Sequence, residues 1–393
     1  MNVSTCRDED IIRAAEQQPE WNDGHLVRKV RAVMAAMPAL VEWEDIWQLR
    51  RLLAEVAQGR MQIIQAGDCA EDPADCVPEV LQCKVALLHT LAGLMQQTVG
   101  LPVLRIGRIA GQFAKPRSRP TEIVDGIELP VFRGLAVNSP EPTSGARTPD
   151  PLRLLSGYHA AHAAMQFLRQ HGDLAGRPVT QRVWTSHEAL LLDYELPLLR
   201  RGEGGRQLLA STHWPWIGER TRDVHSAHVR LVSGLANPVA CKIGPRATAE
   251  QLLGLCRRLD PDRQPGRLTF IARLGAGTAD RLAELAAEVQ AGGYPVIWLC
   301  DPMHGNTITA PCGRKTRLLG SVIQEVAQFP AAVTSAGGVA GGLHLEVTPD
   351  DVTECVTDEH ALRYADLNAA YTSLCDPRLN PEQARAVASA WWR

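Results

Sequence analysis

From residue 61 onwards, short apolar runs alternate with longer stretches in which apolar residues recur every three or four positions. Eight of the short runs predict strands: MQIIQAG, PVLRIGRIA, QRVWTS, HWPWIG, PVACKIG, RLTFIARL, PVIWLC and GGLHLEVT. Nearly continuous apolar strands separated by helices are typical of a parallel sheet covered on both faces. Eight such units within about 290 residues favour a closed (β/α)8 TIM barrel over an open sheet.

The residues before the first strand follow a different pattern. Residues 8–60 are predicted to be helical, because LVRKVRAVMAAM and WEDIWQLRRLLAEVAQGR carry apolar residues at helical spacing. We therefore predict an N-terminal helical extension over residues 1–60 and a barrel catalytic domain over residues 61–393. The stretch 116–152, between the second and third strands, is the longest predicted loop, and long loops in compact domains are often functional.

Composition excludes several classes of protein. The 393 residues include 45% hydrophobic and 22% charged residues with a net charge of -3, which predicts a folded core and argues against a nucleic-acid partner. No apolar run is long enough for a membrane span, and the charged N-terminus does not resemble a signal peptide. The ten cysteines form no CxxC pair, as is typical of a reducing compartment. We expect a cytoplasmic protein with no membrane contact.

Ionisable residues occur at or after the end of each predicted strand. They are Cys69 and Glu71; Arg105, Arg108, Lys115 and Arg117; His187 and Glu188; Glu219 and Arg220; Lys242; Arg273; Asp301 and His304; His344 and Glu346. A single one of these is usually a solvated charge or a core residue. Together they would meet at the end of a barrel where active sites are built. Cations within apolar strands require bound anions or partners, and phosphate and carboxylate groups suit several converging cations.

A second set of residues predicts a metal site. Cys69, His304, Glu346 and Asp376 offer one thiolate, one imidazole and two carboxylates. This mixed donor set suits Mn2+, Co2+, Fe2+ or Zn2+ better than Mg2+ or Ca2+. The four residues are scattered along the chain, so no short ligand spacing links them.

The chain resembles the class II (plant-type) 3-deoxy-D-arabino-heptulosonate 7-phosphate (DAHP) synthases, and in particular the short forms that serve secondary-metabolite, phenazine-type pathways. The resemblance is carried, in order between residues 61 and 380, by GDCAE, RIGRIAGQFAKPRS, TSHEALLLDYE, WIGERTR, KIGP, ARLG, IWLCDPMHGNT, GGLHLEVTPDDVTEC and CDPRLN. It implies an enzyme that condenses phosphoenolpyruvate with erythrose 4-phosphate in the first step of the shikimate pathway.

The resemblance also implies roles for individual residues. Cys69, His304, Glu346 and Asp376 correspond to metal ligands, with Mn2+ or Co2+ as the expected ion. The phosphoenolpyruvate phosphate is expected to contact Arg220, Lys242 and Arg273, and its carboxylate is expected to contact Arg108 and Lys115. Arg117 and Ser118 match contacts to the phosphate of erythrose 4-phosphate, and Glu219 is expected to hold a water. Lys115, Glu219, Lys242 and His304 are the candidate catalytic residues.

The chain departs from the family pattern at two positions. Leu135 stands where an acidic residue is expected, and Ala276 stands where an amide is expected. These changes leave open an aminoDAHP-type synthase with an imino acceptor. A metal-dependent barrel hydrolase and a non-catalytic barrel partner are further alternatives. The chain is also short where larger members carry regulatory helices, which predicts no feedback by aromatic amino acids. We expect a homo-oligomer, specifically a dimer.

Overall fold

The computed structural model of the protein describes residues 11–124, 126–174, 178–202 and 205–392. Eight parallel strands close into a barrel in the order β1, β14, β11, β10, β9, β8, β5, β2. Their bounds are β1 Gln62–Gly67, β2 Val103–Arg108, β5 Val183–Glu188, β8 Trp214–Ile217, β9 Val239–Ile243, β10 Leu268–Ala272, β11 Ile297–Cys300 and β14 Val339–Glu346. Every predicted strand run contributes one barrel strand, so the predicted (β/α)8 fold is confirmed.

Helices surround the barrel and precede it. Their bounds are α1 Gly24–Ala36, α2 Trp43–Ala57, α3 Pro78–Val99, α4 Ser144–Arg147, α5 Leu152–Leu174, α6 Leu192–Glu195, α7 Ala227–Ser233, α8 Ala249–Leu259, α9 Ala279–Ala291, α10 Leu319–Ser335, α11 Glu359–Tyr364 and α12 Pro381–Ser389. Local sequence explains several of their ends. Helix α3 begins at a proline and ends at Gly100 in a left-handed conformation, while Thr248 and Gln251 form a capping box on α8. None of the described helices is both long and apolar enough to span a membrane.

The N-terminal end of the barrel is closed by α2. Leu49, Leu53 and Val56 of this helix pack against inward-facing strand residues such as Ile63 and Leu104 in one buried apolar cluster. These contacts shield the N-terminal (lower) end of the barrel interior from solvent, so a site is expected at the C-terminal (upper) end. The structure has helices in the described part of the predicted extension, whose residues 1–10 lie outside the described range. The proposed domain boundary at residue 60 stays a prediction.

The predicted long loop over residues 116–152 is more ordered than expected. Its described residues contain an antiparallel hairpin, formed by β3 (Thr121–Val124) and β4 (Ile127–Pro130), followed by the single-turn helix α4. The Glu122 carboxylate accepts hydrogen bonds from Arg117 and Arg147, which fixes the hairpin base. Two further hairpins follow later barrel strands: β6 (Leu199–Arg201) with β7 (Gln207–Leu209), and β12 (Thr307–Thr309) with β13 (Lys315–Arg317).

Candidate active site

A cavity of about 450 Å³ opens at the C-terminal end of the barrel. Its lining includes most of the residues selected from the sequence: Lys115, Arg117, Ser118, Glu219, Arg220, Lys242, Arg273, His304 and Asp376. The other three, Cys69, Arg108 and Glu346, are buried and do not line it. Parallel strands deliver their C-terminal ends to one mouth, so residues far apart in sequence meet here.

Three of the four candidate metal ligands form one group. Ligand atoms of Cys69, Glu346 and Asp376 all lie within 4.8 Å of one another. The fourth, His304, is adjacent, with its Nε2 3.2 Å from Oε1 of Glu346. The set combines sulfur, nitrogen and oxygen donors, which fits a transition-metal dication such as Mn2+, Co2+, Fe2+ or Zn2+.

The segment that carries Asp376 is tied to the barrel by buried ion pairs. Arg378 Nη1 lies 2.6 Å from Oδ1 of Asp68, just after β1, while its Nη2 lies 2.8 Å from Oε1 of Glu354. The backbone N–H of Asp376 also donates to Sγ of Cys69 at 3.3 Å. The chain folds back through these contacts, so a residue well beyond the last strand reaches the site.

Glu346 lies at the centre of a network of opposite charges. Its carboxylate is completely buried and lies 3.1 Å from Arg108 Nη2, 3.6 Å from Lys115 Nζ and 2.8 Å from Arg317 Nη2. Burial disfavours the charged form, but His304, Lys115 and Arg317 together hold the pKa of Glu346 well below its usual value. The carboxylate is therefore ionised, as a metal ligand must be.

Lys115 lines the cavity and lies 3.6 Å from Glu346 Oε1. Burial alone would lower the pKa of Lys115, but the neighbouring Cys69 and Glu346 raise it above its ordinary value. Arg108 is a second cation close to Glu346, but it is buried and does not line the cavity. Its guanidinium lies beneath the cavity, where it contacts His344 Nε2 at 2.6 Å and donates to the backbone oxygen of Asp68 at 3.1 Å.

Lys242 and His304 share one carboxylate. Asp301 Oδ2 lies 3.0 Å from Lys242 Nζ and 2.8 Å from His304 Nδ1. Burial lowers the pKa of Lys242 to about 8, although Asp301 opposes that shift. Because Asp301 engages Nδ1, the Nε2 atom of His304 points towards Glu346, as is common for a histidine ligand held by a second carboxylate.

The remaining polar residues form the cavity wall. Arg220 Nη2 donates to Ser118 Oγ at 2.8 Å, and this bond joins the loop after β8 to the KPRS segment at residues 115–118. Glu219 accepts hydrogen bonds from Arg222 at 3.0 and 3.2 Å and from the Gly244 N–H at 2.7 Å. Arg273 Nη2 donates to the backbone oxygen of His304 at 3.4 Å, while its buried Nε has no hydrogen-bond partner among the described residues. Arg273 lines the cavity, so its guanidinium can contact an anion bound there.

Sequence reasoning missed four residues that support the site. Asp301 was noted only as a strand-end charge, while Arg317, Lys315 and Arg378 were not selected. Lys315 Nζ lies 2.7 Å from Asp376 Oδ1. A signal existed for Asp301, which ends an apolar strand in LCDPMHG. The three cations occur in polar segments, where ion pairing cannot be distinguished from solvation.

The two departures from the family pattern have different surroundings. The backbone N–H of Ala276 donates to Oδ1 of Asn306 at 3.0 Å, so a neighbouring loop supplies an amide beside this position. The backbone oxygen of Leu135 accepts from Arg153 Nη1 at 3.4 Å. Leu135 is not among the cavity-lining residues.

The sequence is similar to proteins of one known family over nearly its whole length. The model of the Class-II DAHP synthetase family matches residues 8–177 and 173–391. A probable phospho-2-dehydro-3-deoxyheptonate aldolase of Pseudomonas fluorescens is 52% identical over 394 residues, covering 98% of this chain and 97% of that protein. The phospho-2-dehydro-3-deoxyheptonate aldolase of Streptomyces coelicolor is 40% identical over 421 residues, covering 95% and 94% of the two chains. The chain belongs to the Class-II DAHP synthetase family, whose members are metal-dependent enzymes.

Proposed function

We propose that this protein condenses phosphoenolpyruvate with erythrose 4-phosphate and water to give DAHP and inorganic phosphate. The observation that carries the proposal is the convergence of cavity-lining cations next to a sulfur, nitrogen and oxygen donor set formed by Cys69, His304, Glu346 and Asp376. Both substrates are multiply charged anions, and Arg and Lys side chains offset their mutual repulsion while fixing their orientation.

The cations divide into groups that suit the two substrates. In the proposed arrangement, Arg220, Lys242 and Arg273 bind the phosphate of phosphoenolpyruvate, and Lys115 binds its carboxylate. Arg108 is the second cation assigned to this carboxylate, and it also contacts Glu346. Arg117 and Ser118 bind the phosphate of erythrose 4-phosphate. The contact of Arg220 with Ser118 supports this division, because it places the two phosphate regions side by side.

The reaction requires one new carbon–carbon bond and the loss of one phosphate. A divalent ion bound by Cys69, His304, Glu346 and Asp376 would supply Lewis acidity to the aldehyde oxygen. C3 of phosphoenolpyruvate attacks the aldehyde carbon, and a water held by Glu219 adds at C2. The resulting phosphohemiketal loses inorganic phosphate by C–O cleavage. Lys115, Glu219, Lys242 and His304 are the candidates for proton transfer, since each lines the cavity.

The proposal extends to the working metal, the oligomeric state, the location and the regulation of the protein. We infer Mn2+ or Co2+ as the working ion, a homodimer, a cytoplasmic location and no inhibition by aromatic amino acids. The absence of inhibition can be tested directly, because physiological Trp, Phe and Tyr are expected to leave the initial rate unchanged. Strong inhibition by any one of them would contradict it.

The decisive experiment follows phosphate release from phosphoenolpyruvate with erythrose 4-phosphate, after chelation and after addition of Mn2+ or Co2+. We expect no release in the chelated protein and recovery on metal addition. Asp376→Asn should abolish recovery, whereas Asp366→Asn, an exposed residue of the same segment, should recover like the wild type. Full activity after chelation would contradict the proposal.

A second candidate differs only in the acceptor. An aminoDAHP-type synthase would use an imino analogue of erythrose 4-phosphate, and the Leu135 and Ala276 departures favour testing it. Parallel assays of the two acceptors distinguish the candidates, because the preferred one should give the larger kcat/KM. Phosphate release that needs neither acceptor would instead indicate a metal-dependent hydrolase, and a protein without any turnover would fit a non-catalytic partner.

A further inference from the structure

Two active-site loops meet backbone to backbone beside the cavity. One follows β10 and carries Arg273, and the other follows β11 and carries His304. A Cβ atom on Gly305 would lie 2.4 Å from the backbone nitrogen of Gly275, closer than any side chain tolerates. Gly275 also has a φ of 99°, a conformation that favours glycine. The two glycines therefore permit this close approach between the loops, which a side chain at residue 305 would prevent.

A carboxylate from a third element joins the same two loops. Glu325 of α10 is only 7% exposed, and its Oε1 accepts from the Gly275 N–H at 3.0 Å. Its Oε2 accepts from Nδ2 of Asn306 at 2.7 Å. Asn306 in turn accepts from the Ala276 N–H at 3.0 Å. One side chain thus binds a residue two positions after Arg273 and another two positions after His304.

Burying the Glu325 carboxylate costs free energy, so a purely structural role does not explain why an acid occupies this position. The carboxylate lies among apolar residues that include Leu274, Leu282 and Phe329. Burial raises the pKa of Glu325 to about 7. A well-packed apolar residue at such a position is commonly as stabilising as a buried charge. The carboxylate is better explained by the two hydrogen bonds that it makes to the loops.

We propose that Glu325 is a positioning residue that holds Arg273 and His304 in one fixed relation. It touches neither substrate nor metal, and it acts only through Gly275 and Asn306. The inference rests on the proposed function, in which Arg273 binds the phosphate of phosphoenolpyruvate and His304 is a metal ligand. Since both loops depend on one carboxylate, its removal should weaken phosphoenolpyruvate binding and metal binding together.

The test compares Glu325→Gln and Glu325→Ala with the wild type and with Gln324→Ala, an exposed neighbour on the same helix. Metal affinity is measured by titrating the chelated protein with Mn2+ or Co2+, and KM is measured for each substrate. For Glu325→Ala, the metal Kd and the KM for phosphoenolpyruvate should each rise about 10- to 100-fold, the range typical of residues that support metal ligands. Glu325→Gln keeps one acceptor, so its values should lie between those of Glu325→Ala and the wild type.

The KM for erythrose 4-phosphate serves as the internal control. Its phosphate is assigned to Arg117 and Ser118, which Glu325 does not contact, so this KM, measured at saturating metal, should not change. An equal rise in both KM values would overturn the positioning role and indicate general loosening, as would wild-type metal and phosphoenolpyruvate values in both variants. Failure of the wild type itself to bind metal and phosphoenolpyruvate would refute the proposed function, which is a separate outcome.

Discussion

The two ends of the barrel are built from the same strands but have opposite chemistry. At the N-terminal end, Leu104 and Ile106 of β2 and Ala240 of β9 belong to one apolar cluster. Two residues further along the same strands, Arg108 and Lys242 are buried and charged. Because side chains alternate along a strand, both sets face the barrel interior. The inward pattern thus continues along each strand while its chemistry changes from apolar to ionic.

The contrast separates the end of the barrel that mainly stabilises the fold from the end that binds ligands. The lower interior excludes water through apolar packing, whose contribution grows with the buried area. The upper interior buries charges that must be paired, an arrangement that rarely stabilises a fold more than apolar residues would. We infer that the upper charges are retained for ligand binding. Changes at the two ends should therefore have separable effects.

The largest effect is expected for Glu346→Gln at the upper end. The amide removes the negative charge that Arg108 and Arg317 contact, leaving buried cations without compensation. Removal of one partner from a buried pair costs about 3–5 kcal/mol. We expect the free energy of unfolding to fall by that amount and metal affinity to fall on the order of 10³-fold. Urea unfolding and metal titration measure the two quantities, and wild-type metal affinity would contradict the assigned role of Glu346.

The next effect is expected for Leu53→Ala at the lower end. Leu53 of α2 is completely buried, and its truncation leaves a cavity that costs about 2–5 kcal/mol. Urea unfolding should show this loss, while metal affinity and KM under folding conditions should remain those of the wild type. Arg51→Ala, an exposed residue of the same helix, is the matched control. A large fall in the metal affinity of folded Leu53→Ala would show that the two ends are coupled.

The same contrast explains what could be predicted from sequence. The strands were recognisable because their apolar runs alternate with helical periodicity, and Lys242 and Arg273 stood out as charges within apolar runs. Arg317 and Arg378 could not be recognised, since they occur in polar segments where only tertiary contacts decide which charges are buried. Glu325 was missed for a related reason, because one acid on an amphipathic helix resembles any solvated charge.

Other local features also depend on packing. The hairpin at Thr121–Pro130 lies in a stretch rich in Pro, Ser and Arg, whose composition favours a loop. The contact between Arg147 and Glu122 supports its order, and these two residues are too far apart in sequence for a local pattern to reveal the contact. Arg108 is expected to contact phosphoenolpyruvate because its segment, RIGRIAGQFAKPRS, resembles that of the family. Its burial follows from contacts with residues of other strands, such as His344 and Glu346, which the sequence does not reveal.

The smallest effect tests the lower end through pH. His213 precedes β8, and its Nδ1 accepts from the Thr185 N–H at 3.0 Å, while its Nε2 lies 3.9 Å from Asp45 of α2. Burial lowers the pKa of His213 to about 4, although Asp45 partly opposes the shift. Below its ordinary value of about 6.5 the unfolded chain binds the proton more readily than the folded one, so acid favours unfolding.

The stability that neutral His213 provides should therefore be fully present above about pH 6.5 and be lost as the pH falls towards 4, a change of about 2–3 kcal/mol. His213→Asn offers an acceptor for the Thr185 N–H but does not titrate, so its stability relative to the wild type should increase as the pH falls across that range. His360→Asn, at an exposed histidine, should show no such change. Urea unfolding at several pH values between 4 and 8 measures the difference. If the difference between His213→Asn and the wild type were independent of pH, the pKa of His213 would be the same in the folded and unfolded chains, and the N-terminal end of the barrel would not hold a buried neutral imidazole.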